Sequence, residues 1–331
     1  MEFGSVPLAE ALGAVLAHSL PVGSTRLRKG RVLNAADLRA LRDAGHLSVT
    51  VASLGAQDMS EDAAALAIAQ SLVPDPAVTG LIVQPVGTGR INILAAEAGL
   101  ARIDAEKVHA VNTIDPAITV ATVPEWHRMD PKGMVATVKI IPYGVETASV
   151  NSACAKGARA ISLARRTLAK ASLIETSVGE SASKGFRVTK DRLARLGVDL
   201  SSHTVVAHTE EALAAALERV DGDLVLILTG SATSDGRDTA PSAVRRAGGE
   251  VLHFGMPVDP GNLLFLARLL GRTVIGLPGC AKSPALNGAD WVMERVICGV
   301  PITGADIQHM GVGGLLKEIP TRPRPRTQSD W

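Results

Sequence analysis

The sequence predicts an α/β protein: a three-layer, doubly wound and mostly parallel sheet, preceded by a smaller mixed α/β N-terminal region. Three observations carry this reading. The 331 residues are 46% hydrophobic yet include only four Phe, three Trp and one Tyr. Ala, Val, Leu and Ile must therefore fill the cores, as they do where helices cover sheets. The length is about two domains of roughly 150 residues, so each half can bury a core of its own. After residue 172 short apolar runs alternate with helical patterns, and Leu224-Val225-Leu226-Ile227-Leu228 is apolar without interruption, as a parallel strand buried on both faces must be.

From the N-terminus, Leu8 to Leu20 repeats apolar residues at helical spacing. Asn34 stands as N-cap before a helix over Ala35 to Leu41 that ends at Gly45. Ser48 to Leu54 alternates as a strand, Asp58 to Leu72 has a helical pattern, and Val73-Pro74-Asp75-Pro76 turns the chain. This turn splits the N-terminal region, residues 1–150, near residue 75. Gly80 to Val86, Ile118 to Val123 and Met134 to Ile141 are β-branched runs bounded by Pro or Gly and read as strands, with helices between the first two. Thr147 to Ala171 is Ala-rich and basic and reads as one long helix, of which 151–171 connects the halves.

The second domain spans 172–303, with a tail at 304–331. Its pattern runs strand Ser172 to Ser177, helix Lys184 to Leu196, strand Ser202 to Ala207, helix Glu210 to Val220 and strand Leu224 to Leu228. A helix over Pro241 to Ala247 follows, then the runs Glu250 to Gly255, Leu263 to Leu269 and Thr273 to Leu277, and a helix from Gly288 to Val300. Such a sheet receives ligands at the C-terminal ends of its strands.

Composition excludes several function classes. Thirty-four Lys and Arg against 33 Asp and Glu give a net charge of +1, without the basic footprint of a duplex-binding protein. Few aromatics disfavour base stacking on single strands. Cys154, Cys280 and Cys298 have neither disulfide-framework nor zinc-ligand spacing. The first twenty residues lack a basic start and an unbroken apolar run, and no stretch has the roughly 18 apolar residues of a membrane span. A cytoplasmic protein without nucleic-acid or membrane partners is expected.

Two loops carry the candidate chemistry. The first, Thr229-Gly230-Ser231-Ala232-Thr233-Ser234-Asp235-Gly236-Arg237-Asp238, leaves the apolar strand and enters a helix. Its amides, its hydroxyls and the positive helix end suit an anion. Arg237 can grip phosphate, and Asp235 and Asp238 can hold a pterin amide or a divalent cation. Equally, Asp238 can simply cap the helix in a solvated turn. The second loop, Gly276-Leu277-Pro278-Gly279-Cys280-Ala281-Lys282-Ser283-Pro284, also follows an apolar strand. Its glycines admit a ligand to the backbone, and Lys282 and Ser283 add a charge and a hydroxyl, unless this too is an ordinary turn. Cys280 reads as a small packing residue or a nucleophile. Weaker candidates are Lys184 and Arg187 above the first strand of this domain, Gly87-Thr88-Gly89-Arg90, and the extended Arg322-Pro323-Arg324-Pro325-Arg326.

The two loops, in this order and spacing, resemble the molybdopterin-binding domain shared by molybdopterin adenylyltransferases and molybdopterin molybdenumtransferases. Thr229-Gly230 and Arg237-Asp238-Thr239-Ala240-Pro241 match the loop and helix start of the first, and Asp259-Pro260-Gly261-Asn262 with Gly276-Leu277-Pro278-Gly279 match the second. Val6-Pro7-Leu8, Ala136 to Pro142, Phe254 to Leu264, Gly276 to Trp291 and Met310 to Leu316 extend the resemblance over nearly the whole chain, to bacterial molybdopterin-binding proteins. Some longer members continue into a nucleotidyltransferase-like domain; this sequence ends at Trp331, so that activity is not expected of it.

The resemblance implies molybdopterin as ligand. The binding residues would be Thr229, Gly230, Ser231, Thr233, Ser234, Arg237, Gly276, Pro278, Gly279, Lys282 and Ser283. Asp235 and Asp238 would be catalytic, with Mg²⁺ on Asp238. It also implies a homo-oligomer and a molybdoenzyme or maturation protein as partner. The function would be cofactor biosynthesis or delivery, with adenylyl transfer, molybdate insertion or a scaffold role as alternatives. Three departures bear on catalysis: Ser231-Ala232-Thr233 replaces Gly-Thr-Gly, Ala207-His208-Thr209 stands near an expected acidic pair, and Cys280 replaces Asn.

Overall fold

The computed structural model describes residues 1–178, 185–259 and 261–316. The turn at Gly179 to Lys184, Pro260 and the Arg-Pro segment at 322–326 lie outside the described residues. The chain divides into two compact units, Met1–Glu97 with Ala101–Leu163, and Ala98–Leu100 with Ala164–Trp331.

In the first unit β1 (Glu2–Pro7) pairs antiparallel with β2 (Ser48–Ser53), and α1 (Ala35–Asp43) lies between them in sequence. Asn34 and Asp37 form a reciprocal capping box on α1, as the Asn34 reading requires. The helix expected over Leu8 to Leu20 is absent. A single 3-10 turn at Leu8–Glu10 is followed by the short strands Val15–Leu16 and Leu20–Val22. Gly13 adopts φ +78° and breaks the helical path, and the apolar residues face a small core with Leu38, Leu41, Val49 and Val51. A larger core gathers α2 (Glu61–Leu72), β3 (Leu81–Gly87), β4 (Arg90–Ala95), α3 (Ala105–Asn112), β5 (Ile118–Thr122), β6 (Met134–Ile140) and α4 (Thr147–Gly157). Its sheet runs in the order β5-β6-β4-β3, all antiparallel.

The long helix expected over Thr147 to Ala171 ends at Gly157. Arg159 takes the left-handed φ +58° and the chain continues as strand Ile161–Arg165. Close packing requires glycine at its last residue: a Cβ on Gly157 would come within 2.8 Å of Val111 and 3.1 Å of Leu72.

The second unit holds the mostly parallel sheet. Its elements are β7 (Lys170–Ser177), α5 (Gly185–Ala194), β8 (Asp199–Ala207), α6 (Glu210–Arg219), β9 (Leu224–Leu228), α7 (Thr239–Arg246), β10 (Glu250–Met256), β11 (Asn262–Leu269), β12 (Arg272–Leu277) and α8 (Gly288–Ile297). The sheet order is β8-β7-β9-β12-β11-β10. The β8–β7, β7–β9 and β9–β12 pairs are parallel, and the last two pairings are antiparallel. All five residues of β9 are buried, with Leu226 aligned between Leu173 and Ile275. Helices α6 and α7 share a core with the sheet through Leu213, Leu217, Ala243 and Val244.

From β7 the chain crosses to β8 on one side and then returns to β9 on the other. The crevice between the ends of β7 and β9 is therefore the point where strand order reverses.

Gly276 has a structural reason to be glycine. It sits buried within β12, directly opposite Phe265 of β11, and a Cβ there would lie 1.9 Å from the Phe265 ring. The missing side chain makes room for an aromatic ring across the strand pair. Gly276→Ala is therefore expected to lower unfolding stability by about 1–3 kcal/mol or more through overpacking. Phe265→Leu in the same chain should recover part of that loss. Urea midpoints of the two variants check this; an unchanged midpoint for Gly276→Ala would show that the ring swings aside without cost.

Candidate functional site

Both sequence-predicted loops stand at C-terminal ends of parallel strands, the first after β9 and the second after β12. The first loop lies on the crevice where strand order reverses. Gly230 permits this: a Cβ would meet the Thr176 carbonyl at 2.7 Å and the Val178 nitrogen at 3.1 Å. Close approach of two strand ends, reached through a residue without a side chain, brings the loop onto β7.

A line of hydrogen bonds joins the ends of all four parallel strands. The Gly230 N–H donates to Thr176 Oγ1 at 3.0 Å. Thr176 Oγ1 lies 2.8 Å from Nδ1 of His208, at the end of β8. Because the hydroxyl already accepts from Gly230, its own hydrogen is free to bond Nδ1. On the other side Lys282 Nζ donates to the Thr229 carbonyl at 3.2 Å, which ties the second loop to the first.

Within the first loop the side chains are held locally. Asp238 caps α7, accepting from Thr239 N at 2.7 Å and from Ser234 N at 2.9 Å. Asp235 Oδ1 accepts from the backbone N–H of Arg237 at 2.8 Å and from its Nε at 3.0 Å. The Arg237 guanidinium, through that hydrogen bond, holds the Asp235 carboxyl below the usual range. Both partners are exposed, so solvent screens the pair. Thr229 and Thr233 are buried, with hydroxyls 3.5 Å apart, whereas Ser231 and Ser234 are exposed. Among the described residues no group of three or more His, Cys, Asp or Glu could hold a metal ion. Asp238 accepts a backbone N–H on each oxygen, so the cap reading is the observed geometry.

In the second loop Pro278 is buried, Gly279 is exposed, and Gly279–Lys282 makes a 3-10 turn. No heavy atom lies within 4 Å of a Cβ built on Gly279, so the backbone is open there. Ser283 is exposed and its hydroxyl accepts from Ala285 N at 3.4 Å. Cys280 is half-buried, and its Sγ accepts from Asn287 Nδ2 at 2.8 Å.

Sequence reasoning missed the groups beneath this loop. Arg192 of α5 is buried and reaches Asp290 of α8 and three carbonyls of the loop. Asn287 and Asp290 form a capping box on α8, and Asn262 Nδ2 donates to Asn287 Oδ1 at 3.2 Å. A signal for Arg192 was present, since it falls in the stripe Gly185, Thr189, Arg192, Leu193 that α5 buries. An arginine in such a stripe demands partners.

The glycine-rich segment Gly87-Thr88-Gly89-Arg90 turns the chain between β3 and β4. Gly87, Thr88 and Gly89 all have positive φ, and the Gly89 N–H already donates to Asp62 at 2.6 Å. The segment is a hairpin turn with that amide already engaged.

Parts of the chain are similar to known proteins. Residues 5–53 match a domain of unknown function, and residues 180–296 match the family described as a probable molybdopterin binding domain. No curated protein matches the chain in sequence. Among solved structures, the molybdopterin biosynthesis MoeA protein from Pyrococcus horikosii is 13% identical with a TM-score of 0.30, over 92% of this chain and 75% of that one. The molybdopterin biosynthesis enzyme MoaB from Thermus thermophilus is 15% identical with a TM-score of 0.28, over 43% of this chain and 96% of that one. The likeness that the family model records is thus confined to residues 180–296, which are similar to a probable molybdopterin binding domain.

Proposed function

We propose that this protein binds molybdopterin, or the molybdenum cofactor built from it, and serves its biosynthesis or its delivery to a molybdoenzyme. One observation carries the proposal: the first loop stands on the crevice where strand order reverses, and the second loop, at the end of the adjacent parallel strand, is bonded to it through Lys282 and Thr229. That crevice is where open α/β sheets receive ligands.

Thr229, Gly230, Ser231, Thr233, Ser234 and Arg237 would face the ligand from one side, and Pro278, Gly279, Lys282 and Ser283 from the other. Gly276 would act from below, by letting Phe265 support the strand that carries the second loop. Lys282 can offer its remaining N–H groups to a phosphate while one stays on the Thr229 carbonyl. Arg237 can exchange Asp235 for a ligand oxygen at little cost, because the pair is exposed. With so few aromatic residues in the chain, a planar pterin would be held by hydrogen bonds more than by stacking.

The side chains favour carriage over adenylyl transfer. Nucleotidyl transfer needs a carboxylate-held cation over the developing charge, and Asp235 and Asp238 are engaged within the loop. Catalysis by these two residues is the second reading. It requires release of pyrophosphate or AMP when pterin, Mg²⁺ and either ATP or molybdate are supplied.

Calorimetry with molybdopterin is expected to give a dissociation constant in the micromolar range or tighter, and the absence of heat with a folded sample would falsify the proposal. Lys282→Ala should weaken binding about ten- to a hundredfold, the loss of one hydrogen bond from a charged donor at about 1.5–3 kcal/mol. Asp238→Ala is expected to reduce stability by about 0.5–2 kcal/mol, while Asp238→Asn keeps most of it, because an amide oxygen caps nearly as well as a carboxylate. Equal losses in both, together with lost turnover, would instead favour the catalytic reading.

A further inference from the structure

We propose that Arg192 is the positioning residue of the second loop, shaping it to accept an anionic ligand; this rests on the molybdopterin reading above. The guanidinium is buried and lies under the loop, on a different helix and far away in sequence. Its Nε donates to Asp290 Oδ1 at 2.5 Å. One terminal nitrogen donates to the Ala281 carbonyl at 2.6 Å, and the other donates to those of Ser283 at 2.7 Å and Ala285 at 3.0 Å. A planar fork of five fixed N–H groups meets these four acceptors at once, which a lysine ammonium cannot do.

The consequence is electrostatic as well as steric. Three alternate carbonyls of the loop are drawn inward onto a cation, so their negative ends leave the rim where they would repel an anion. Asp290 balances the buried charge with one oxygen and caps α8 with the other, accepting from Asn287 N at 2.8 Å. Asn287 in turn donates to Cys280 Sγ. Arg192, Asp290, Asn287 and Cys280 thus form a connected support that fixes the stretch bearing Gly279, Lys282 and Ser283. Left unpaired, the same buried groups would each carry a desolvation penalty, so the loop has one favoured arrangement.

Cys280 reports on this arrangement without any ligand. Cys154 and Cys298 are poor competitors for alkylation: burial raises the Cys154 thiol, and burial together with Glu294 pushes Cys298 up to about 12. The full chain and its Arg192→Lys variant would be compared by peptide-resolved iodoacetamide labelling of Cys280 and by molybdopterin calorimetry. Val244→Ala, on the buried face of α7, serves as a destabilised control outside the second loop and its support. The expected result is at least a tenfold faster reaction at Cys280 and at least a tenfold weaker molybdopterin affinity in Arg192→Lys. The Val244→Ala control should stay within twofold of wild type on both.

Should Arg192→Lys fail to fold, Arg192→Met with Asp290→Asn removes the charge pair at similar volume and carries the same expectations. Labelling and affinity within twofold of wild type in the folded variant, or equal changes in Val244→Ala, would overturn the proposal. Wild-type protein that binds no molybdopterin would overturn the functional reading, and the Cys280 rates would still decide whether Arg192 sets the loop.

Discussion

The second unit depends on the complete burial of Leu224–Leu228. A strand that exposes no side chain must be hydrogen-bonded along both edges and covered on both faces, and here its neighbours β7 and β12 run parallel to it. Parallel pairing cannot be closed by a tight turn. Each connection must leave the sheet, pass through a crossover and re-enter from the same end. All four parallel strands therefore finish at one edge, and their loops meet there. Two loops separated by almost fifty residues become neighbours because a five-residue apolar run has to be buried.

Meeting at one edge does not by itself fix the loops, since loop backbone carries polar groups that must be satisfied. Two different solutions are used. The first loop is satisfied largely by its own segment and the helix it enters: Asp238 and Asp235 accept amides of the loop, Ser242 and Arg245 of α7 donate to its carbonyls, and Gly230 and Thr229 reach further, to Thr176 and Lys282. The second is satisfied from beneath by Arg192 and Asn287, whose own partners are buried. The first arrangement relies on exposed, screened bonds and the second on bonds in a low-dielectric interior, where breaking one leaves a charge without compensation.

These physical differences decide how much the sequence disclosed. The positions of the two loops were legible because glycine, hydroxyl and acidic residues after an uninterrupted apolar run mark the turn at a strand's end. The Asn34 and Asp37 cap was legible for the same local reason. The role of Gly276 was not, because it is set by Phe265 on the neighbouring strand, and residue spacing carries no register. Nor was the need for glycine at 157, which answers to Val111 and Leu72 rather than to its own segment. Arg192 and Asp290 stand 98 residues apart, so no local pattern joins them. What escaped was in each case a contact made across the fold, while the helical reading of Leu8 to Leu20 failed locally, at the left-handed Gly13.

The near-neutral net charge takes on a specific meaning beside this geometry. A chain at +1 cannot draw an anion by its overall field, so discrimination must come from a few groups at short range. A site of that kind needs one rigid wall to define where the anion sits and one adaptable wall to close on it. The second loop, held by a buried fork, has the character of the rigid wall. The first carries an arginine paired only with an exposed aspartate two residues away, and that arginine can change partners without disturbing the core. If molybdopterin enters this crevice, its phosphate is therefore best placed against the Gly279–Lys282 turn, with Arg237 arriving from the opposite side as the exchangeable contact.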